Sequence, residues 1–180
     1  MKKVLFVASE GVPFIKTGGL ADVVGSLPKC YNKEEYDVRV ILPKYMCMKE
    51  EWKNKMNYVT HFYMDLAWRS QYVGVLEMQY DGVQFYFIDN EYYFAGPKPY
   101  GNIYQDIEKF AFFSKAALSA LPVIGFKPDI VHCHDWQTGL VPVLLKDKFH
   151  EGEFFRDMKS IITIHNLKFQ GVWDVKTVRD

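Results

Sequence analysis

The chain has 180 residues, 49% of them apolar and 17% aromatic, with 22 basic and 22 acidic side chains. That length and apolar content suit one globular domain with a sizeable core and exclude a disordered chain. The balanced charge gives no general field for nucleic acid or an acidic membrane, and no run of about 18 apolar residues is present to span a bilayer.

Lys2–Ser9 is a continuous apolar run, the pattern of a parallel strand covered on both faces. It is too short for a secretory leader and runs into Ser9-Glu10, so it is read as a buried first strand. A glycine loop follows, then a helix over Leu20–Tyr31 and a second strand over Asp37–Leu42, closed by Pro43. Residues 56–88 change character. Tyr58–Met64, Gln71–Met78 and Val83–Ile88 are rich in β-branched and aromatic residues, and Asp81-Gly82 is a tight-hairpin signal. These runs predict an antiparallel meander, and Asp89–Asn102 a loop carrying three tyrosines. Apolar positions at helical spacing predict a long helix over Ile103–Leu121, ended by Pro122. Strand Asp129–Cys133, helix Gln137–Phe149 and strand Ser160–Ile164 complete the alternation. The fold class is therefore α/β, with a mostly parallel sheet flanked by helices. After His165-Asn166 no helix closes the last strand, so the chain is expected to be a fragment of a longer protein.

Three cysteines (Cys30, Cys47, Cys133) follow no disulfide spacing, which points to a reducing cytoplasm. His132-Cys133-His134 has the look of a metal site. On a strand, however, positions 132 and 134 face one side and 133 the other, and no second ligand pair accompanies them, so a buried strand cysteine is the better reading.

Three segments place polar residues at the end of strand-like runs, where α/β sheets bind ligands. Lys16-Thr17-Gly18-Gly19-Leu20 offers close backbone N–H groups, a helix start and a mobile cation, which suits an anion. It is neither a Walker loop nor a GxGxxG fingerprint, and a plain glycine turn with a solvated lysine is the competing reading. His134-Asp135-Trp136 offers imidazole, carboxylate and an indole face for a sugar; Asp135 as a mere helix N-cap is the bland alternative. His165-Asn166 gains weight only if all three segments emerge on one edge of the sheet. The tyrosines at 92, 93, 100 and 104, with Trp173, either line a carbohydrate groove or fill a loop cluster.

Val7–Pro28, VASEGVPFIKTGGLADVVGSLP, resembles the N-terminal signature of bacterial glycogen synthases and plant starch synthases. Asp106–Ser114 (DIEKFAFFS), Asp129–Leu140 (DIVHCHDWQTGL) and Ile162–Gly171 (ITIHNLKFQG) resemble further signatures of the same family, in the same order. The resemblance implies the N-terminal, Rossmann-like half of a GT-B retaining glucosyltransferase, with the C-terminal nucleotide-binding domain absent from these residues. It implies ADP-glucose as donor, an α-1,4-glucan such as glycogen or starch as acceptor, and no metal or redox cofactor. It also implies roles: Lys16, Gly18 and Gly19 at the diphosphate, Asp22 and Asp135 near donor or acceptor hydroxyls, His165 beside the 6-hydroxyl of the transferred glucose, and Trp136 and Asn166 shaping the sugar subsite. Lys109 stands where arginine is usual and Phe169 where tyrosine is usual. The rivals are a non-catalytic glucan-binding module and a nucleotide-dependent oxidoreductase, the latter disfavoured by the missing GxGxxG.

Overall fold

A computed structural model describes residues 1–172 and 174. The elements are β1 (Lys2–Val7), α1 (Gly19–Ser26), β2 (Tyr36–Pro43), α2 (Glu50–Lys53), β3 (Asn57–Leu66), β4 (Arg69–Tyr80), β5 (Val83–Asp89), α3 (Ile103–Val123), β6 (Ile130–His134), α4 (Leu140–Leu144) and β7 (Lys159–Thr163). The strands form one seven-stranded sheet in the order β3-β4-β5-β2-β1-β6-β7.

The five strands β5-β2-β1-β6-β7 run parallel, and the meander β3-β4-β5 is antiparallel, as its alternating aromatics require. The hairpin β4–β5 turns at Asp81-Gly82, both at positive φ, with Tyr80 paired to Val83. β1 is central and buried, with Leu5, Phe6 and Val7 fully enclosed. From β1 the chain moves outward to β2 on one side. After the meander it returns through α3 to β6 on the other side. This reversal opens a crevice at the carboxyl ends of β1 and β6, where ligands bind in open α/β sheets.

All three predicted helices differ from the sequence reading. The first helix shortens to α1 and continues as a 3₁₀ turn over Leu27–Cys30, where Pro28 sits at its start. Pro122 does not end α3. It lies inside the helix, whose stop is Gly125 at φ +66°. There Phe126 N–H donates to Leu121 O at 3.1 Å and Gly125 N–H to Pro122 O at 3.3 Å, a Schellman cap that needs a left-handed residue. The third helix breaks into a 3₁₀ turn over Trp136–Thr138, then α4, then a π-turn over Leu145–Phe149. Pro142, inside α4, has no N–H to give to a regular ladder.

Among the described residues no helix is long and apolar enough to cross a membrane. Cys30, Cys47 and Cys133 are all free thiols.

A candidate functional site at three adjacent strand ends

β1, β6 and β7 are neighbours in the sheet and parallel, so the three polar segments emerge side by side on one edge. From β1 to β7 the span is two strand spacings, about 10 Å. That is the placement the sequence required of a shared site.

At the end of β1 the loop is organised by Glu10, which the sequence reading did not single out. Its carboxylate is almost fully buried. Oε2 accepts from Thr17 N–H at 3.0 Å and Thr17 Oγ1–H at 2.5 Å, and Oε1 accepts from Gly18 N–H at 3.1 Å. Charge-assisted bonds of this kind are the strong ones. Gly18 N–H is thus spent inside the protein and does not remain available to an anion. The first-turn amides after it, at Gly19 and Leu20, begin a helix and have no intrahelical acceptor. A side chain at Gly19 would meet nothing within 4 Å, so no contact within the chain requires glycine there. Gly25 is the opposite case: a Cβ there would come within 2.1 Å of the Val12 side chain and 2.7 Å of its carbonyl oxygen. Glycine at 25 is what lets α1 dock against the loop, where Val12 N–H donates to Ala21 O at 3.0 Å. The sequence marks Glu10 only as a charged residue soon after a buried strand, which does not tell its partners. Lys16 extends from this loop and pairs with Asp22 at 2.8 Å, both half exposed.

The second signature, DIEKFAFFS, holds this strand end from behind. Asp106 and Lys109 are buried and paired at 2.8 Å. Lys109 Nζ donates to Pro99 O at 2.9 Å, and Gly101 N–H donates to Asp106 Oδ2 at 2.9 Å. These bonds fix the loop that carries Tyr100, whose hydroxyl lies 2.6 Å from Ser9 Oγ. Burial, followed by the nearby Glu10 charge, pushes the Tyr100 phenol above its ordinary range. Tyr93 is likewise buried, whereas Tyr92 and Tyr104 are exposed. The tyrosines therefore divide between the two readings. Trp173 lies outside the described residues.

At the end of β6, Asp135 is not an N-cap, since it makes no side-chain capping bond. Its Oδ1 instead accepts from His165 N–H at 2.7 Å, and its own N–H donates to Thr163 O at 2.9 Å. The residue that ends β6 thereby fixes the residue that follows β7. Its backbone, at φ 59° and ψ −176°, occupies a region populated essentially by glycine. Such strain clusters at functional sites.

His132 and His134 face one side of the sheet, as strand alternation demands, and stack at 4.2 Å between centroids. His132 Nε2 lies 2.7 Å from Thr163 Oγ1. The ring of His134 lies within 18° of parallel to that of His165, with centroids 5.2 Å apart. Burial, then His132 and His165, lowers the His134 pKa to about 3, so this ring is neutral across ordinary pH. Burial, then His165, also lowers that of His132.

Trp136 is carried to the other face. It packs edge-on against Phe110 at 5.4 Å and lines a cavity of about 390 Å³ with Ile162, Ile164 and Phe169. Asp135 reaches that cavity too, but Lys16, Gly19, Asp22 and His165 do not. Asn166 caps its own turn, its Oδ1 accepting from Lys168 N–H at 2.9 Å, and is exposed. Among the described residues no group of three or more His, Cys, Asp or Glu is placed to hold a metal ion.

A family model of the starch synthase catalytic domain matches residues 3–180. The chain belongs to that family. It is 72% identical over 180 residues to a glycogen synthase of Lachnoclostridium phytofermentans, covering 100% of this chain and 38% of that protein. A glycogen synthase of Lachnospira eligens is 69% identical over the same length, again with 38% of that protein covered. The catalytic domain of starch synthase IV from Arabidopsis thaliana, solved bound to ADP and acarbose, superposes with a TM-score of 0.84 at 32% identity, covering 94% of this chain and 35% of that one. The chain thus spans well under half the length of the relatives it matches. The α/β sheet with its added meander is the fold that the signatures led one to expect.

Proposed function

We propose that this chain is the N-terminal, acceptor-side Rossmann-like domain of a glycogen or starch synthase, and that the whole enzyme transfers glucose from ADP-glucose to the non-reducing end of an α-1,4-glucan with retention. The observation that carries the reading is the convergence of the β1, β6 and β7 ends on one edge of the sheet. Family membership supports a glucosyl-transfer role for that edge.

Lys16 and the free amides at Gly19 and Leu20 meet the diphosphate at the helix start, where the dipole favours negative charge. Gly18 contributes the extended entry to that helix, its own N–H held by Glu10. Asp22, on the first turn of α1, orients Lys16 and lies near the donor hydroxyls. His165 contacts the 6-hydroxyl of the transferred glucose, with its backbone held by Asp135. Asn166 borders the sugar subsite from its exposed turn, and Trp136 from the cavity on the opposite face. Breaking the glycosidic bond leaves a diphosphate whose charge must be stabilised. We assign most of that stabilisation, and the base pocket, to a second Rossmann-like domain beyond this chain. Free thiols and balanced charge support a cytoplasmic enzyme.

The test compares the 180-residue chain with a full-length synthase carrying it, using radiolabelled ADP-glucose and a maltooligosaccharide acceptor. Transfer is expected from the full-length enzyme and none from the chain alone. Turnover by the purified chain would overturn the assignment of leaving-group stabilisation to a missing domain. A full-length enzyme that binds glucan but transfers nothing would leave the binding-module reading.

A further inference from the structure

His134 is fully buried, yet its imidazole makes one hydrogen bond among the described residues. Its Nδ1 lies 2.9 Å from Nε2 of His165, and its Nε2 has no partner. The ring cannot turn to find another. It is stacked on His132 at 4.2 Å and packed, tilted by 36°, against Phe6 at 5.0 Å. Its backbone is fixed as well: His134 N–H donates to Thr138 Oγ1 at 2.7 Å, and that hydroxyl donates to His134 O at 2.9 Å.

A neutral imidazole carries one N–H, and its position is set by which nitrogen has an acceptor. A proton on Nε2 of His134 would be a buried donor without a partner, the rarest and most costly arrangement. A proton on Nδ1 points at His165. Nε2 of His165 must then accept, and the proton of a neutral His165 must sit on its own Nδ1. That nitrogen has no protein partner among the described residues, and the ring is half-buried rather than enclosed.

We propose that His134 is a positioning residue: by donating from Nδ1 to Nε2 of His165 it locks neutral His165 as the Nδ1–H tautomer, so that His165 meets a ligand hydroxyl as a hydrogen-bond donor. The low pKa that burial gives His134 keeps its own ring uncharged. The functional consequence rests on the reading of His165 as a sugar contact. The tautomer itself does not.

The test is long-range ¹H–¹⁵N correlation of the imidazoles in the labelled chain. Wild-type His165 should show a pyrrole-like Nδ1 and a pyridine-like Nε2. His134→Phe keeps the stacked ring and removes the donor, so the His165 signals should shift toward the Nε2–H pattern that a free side chain favours. His134→Asn keeps an N–H near the Nδ1 position and should restore the wild-type pattern. In the full-length enzyme, kcat of His134→Phe should fall by the fraction of His165 no longer in the Nδ1–H form, with ADP affinity unchanged. An Nε2–H pattern in wild type, or a His165 pattern that ignores His134→Phe, overturns the proposal. The wild-type spectrum decides even where a variant does not fold. An Nδ1–H pattern in wild type beside an unchanged kcat of His165→Ala in the full-length enzyme overturns the sugar assignment alone, and an Nε2–H pattern beside a depressed kcat overturns the relay alone.

Discussion

Replacing Asp135 separates backbone strain from hydrogen bonding at the end of β6. The residue holds φ 59° and ψ −176°, and such a conformation costs a non-glycine residue about 1–3 kcal/mol. Its carboxylate accepts from His165 N–H at 2.7 Å, and a bond to a charged group contributes about 1.5–3 kcal/mol. Asp135→Ala loses the bond and keeps the strain, so it should destabilise the chain by about 1.5–3 kcal/mol. Asp135→Gly loses the same bond but sheds the strain, against about 0.4–1 kcal/mol of added freedom in the unfolded chain. The glycine variant should therefore be the more stable of the two by roughly 1–2 kcal/mol. With a urea m-value of about 2–3 kcal/mol/M, the midpoints should differ by about 0.5 M. Asp135→Asn retains an acceptor and should lie closest to wild type. An alanine variant as stable as the glycine variant, measured by urea unfolding of the chain, would refute the claim of strain at this position.

Two further outcomes follow from the same geometry. Lys16→Ala in the full-length enzyme should lower kcat/KM for ADP-glucose by about 10- to 150-fold, the loss of a charge-assisted phosphate contact of roughly 1.5–3 kcal/mol. Its thermal stability should barely move, because the exposed pair with Asp22 contributes about 0–1 kcal/mol; unchanged kinetics would return Lys16 to a solvated turn. His134, with its pKa lowered to about 3, binds a proton in the unfolded chain between about pH 6.5 and 3 but not in the fold. Unfolding free energy therefore rises with pH in that window and is lost on acidification, by up to about 1.4 kcal/mol per pH unit. His134→Phe should flatten that slope in urea titrations between about pH 6 and 4, and an unaltered slope would show that His134 is not held neutral.

Much of this architecture is written locally. The strands β1, β2 and β6 announce themselves because strands buried on both faces are continuously apolar. Asp81-Gly82 announces its hairpin because two consecutive positive φ angles suit few residue pairs. The three polar segments could be placed at strand ends for the same reason. What the sequence hid depends on pairings across space. Nothing local tells that Glu10 curls back to Thr17 and Gly18, so a charged loop residue reads as solvated. His134 meets His165 across 31 residues only because β6 and β7 are adjacent. Trp136 follows Asp135 directly, yet the left-handed turn at Asp135 sends its indole to the α3 face, away from His165. Pro122 misled because a proline near a helix end reads as a stop, whereas Gly125 supplies the cap.

The central claim, that the edge formed by β1, β6 and β7 holds the glucosyl group of the donor, is tested most directly by His165→Ala in the full-length enzyme, measuring kcat together with the affinity for ADP. ADP lacks the glucose and so serves as an internal control. The account predicts a fall in kcat of roughly 100-fold, the loss of a transition-state contact of about 3 kcal/mol, with ADP affinity and melting temperature preserved. A variant that loses ADP affinity in step with rate and melts early would make His165 a packing residue and contradict the account.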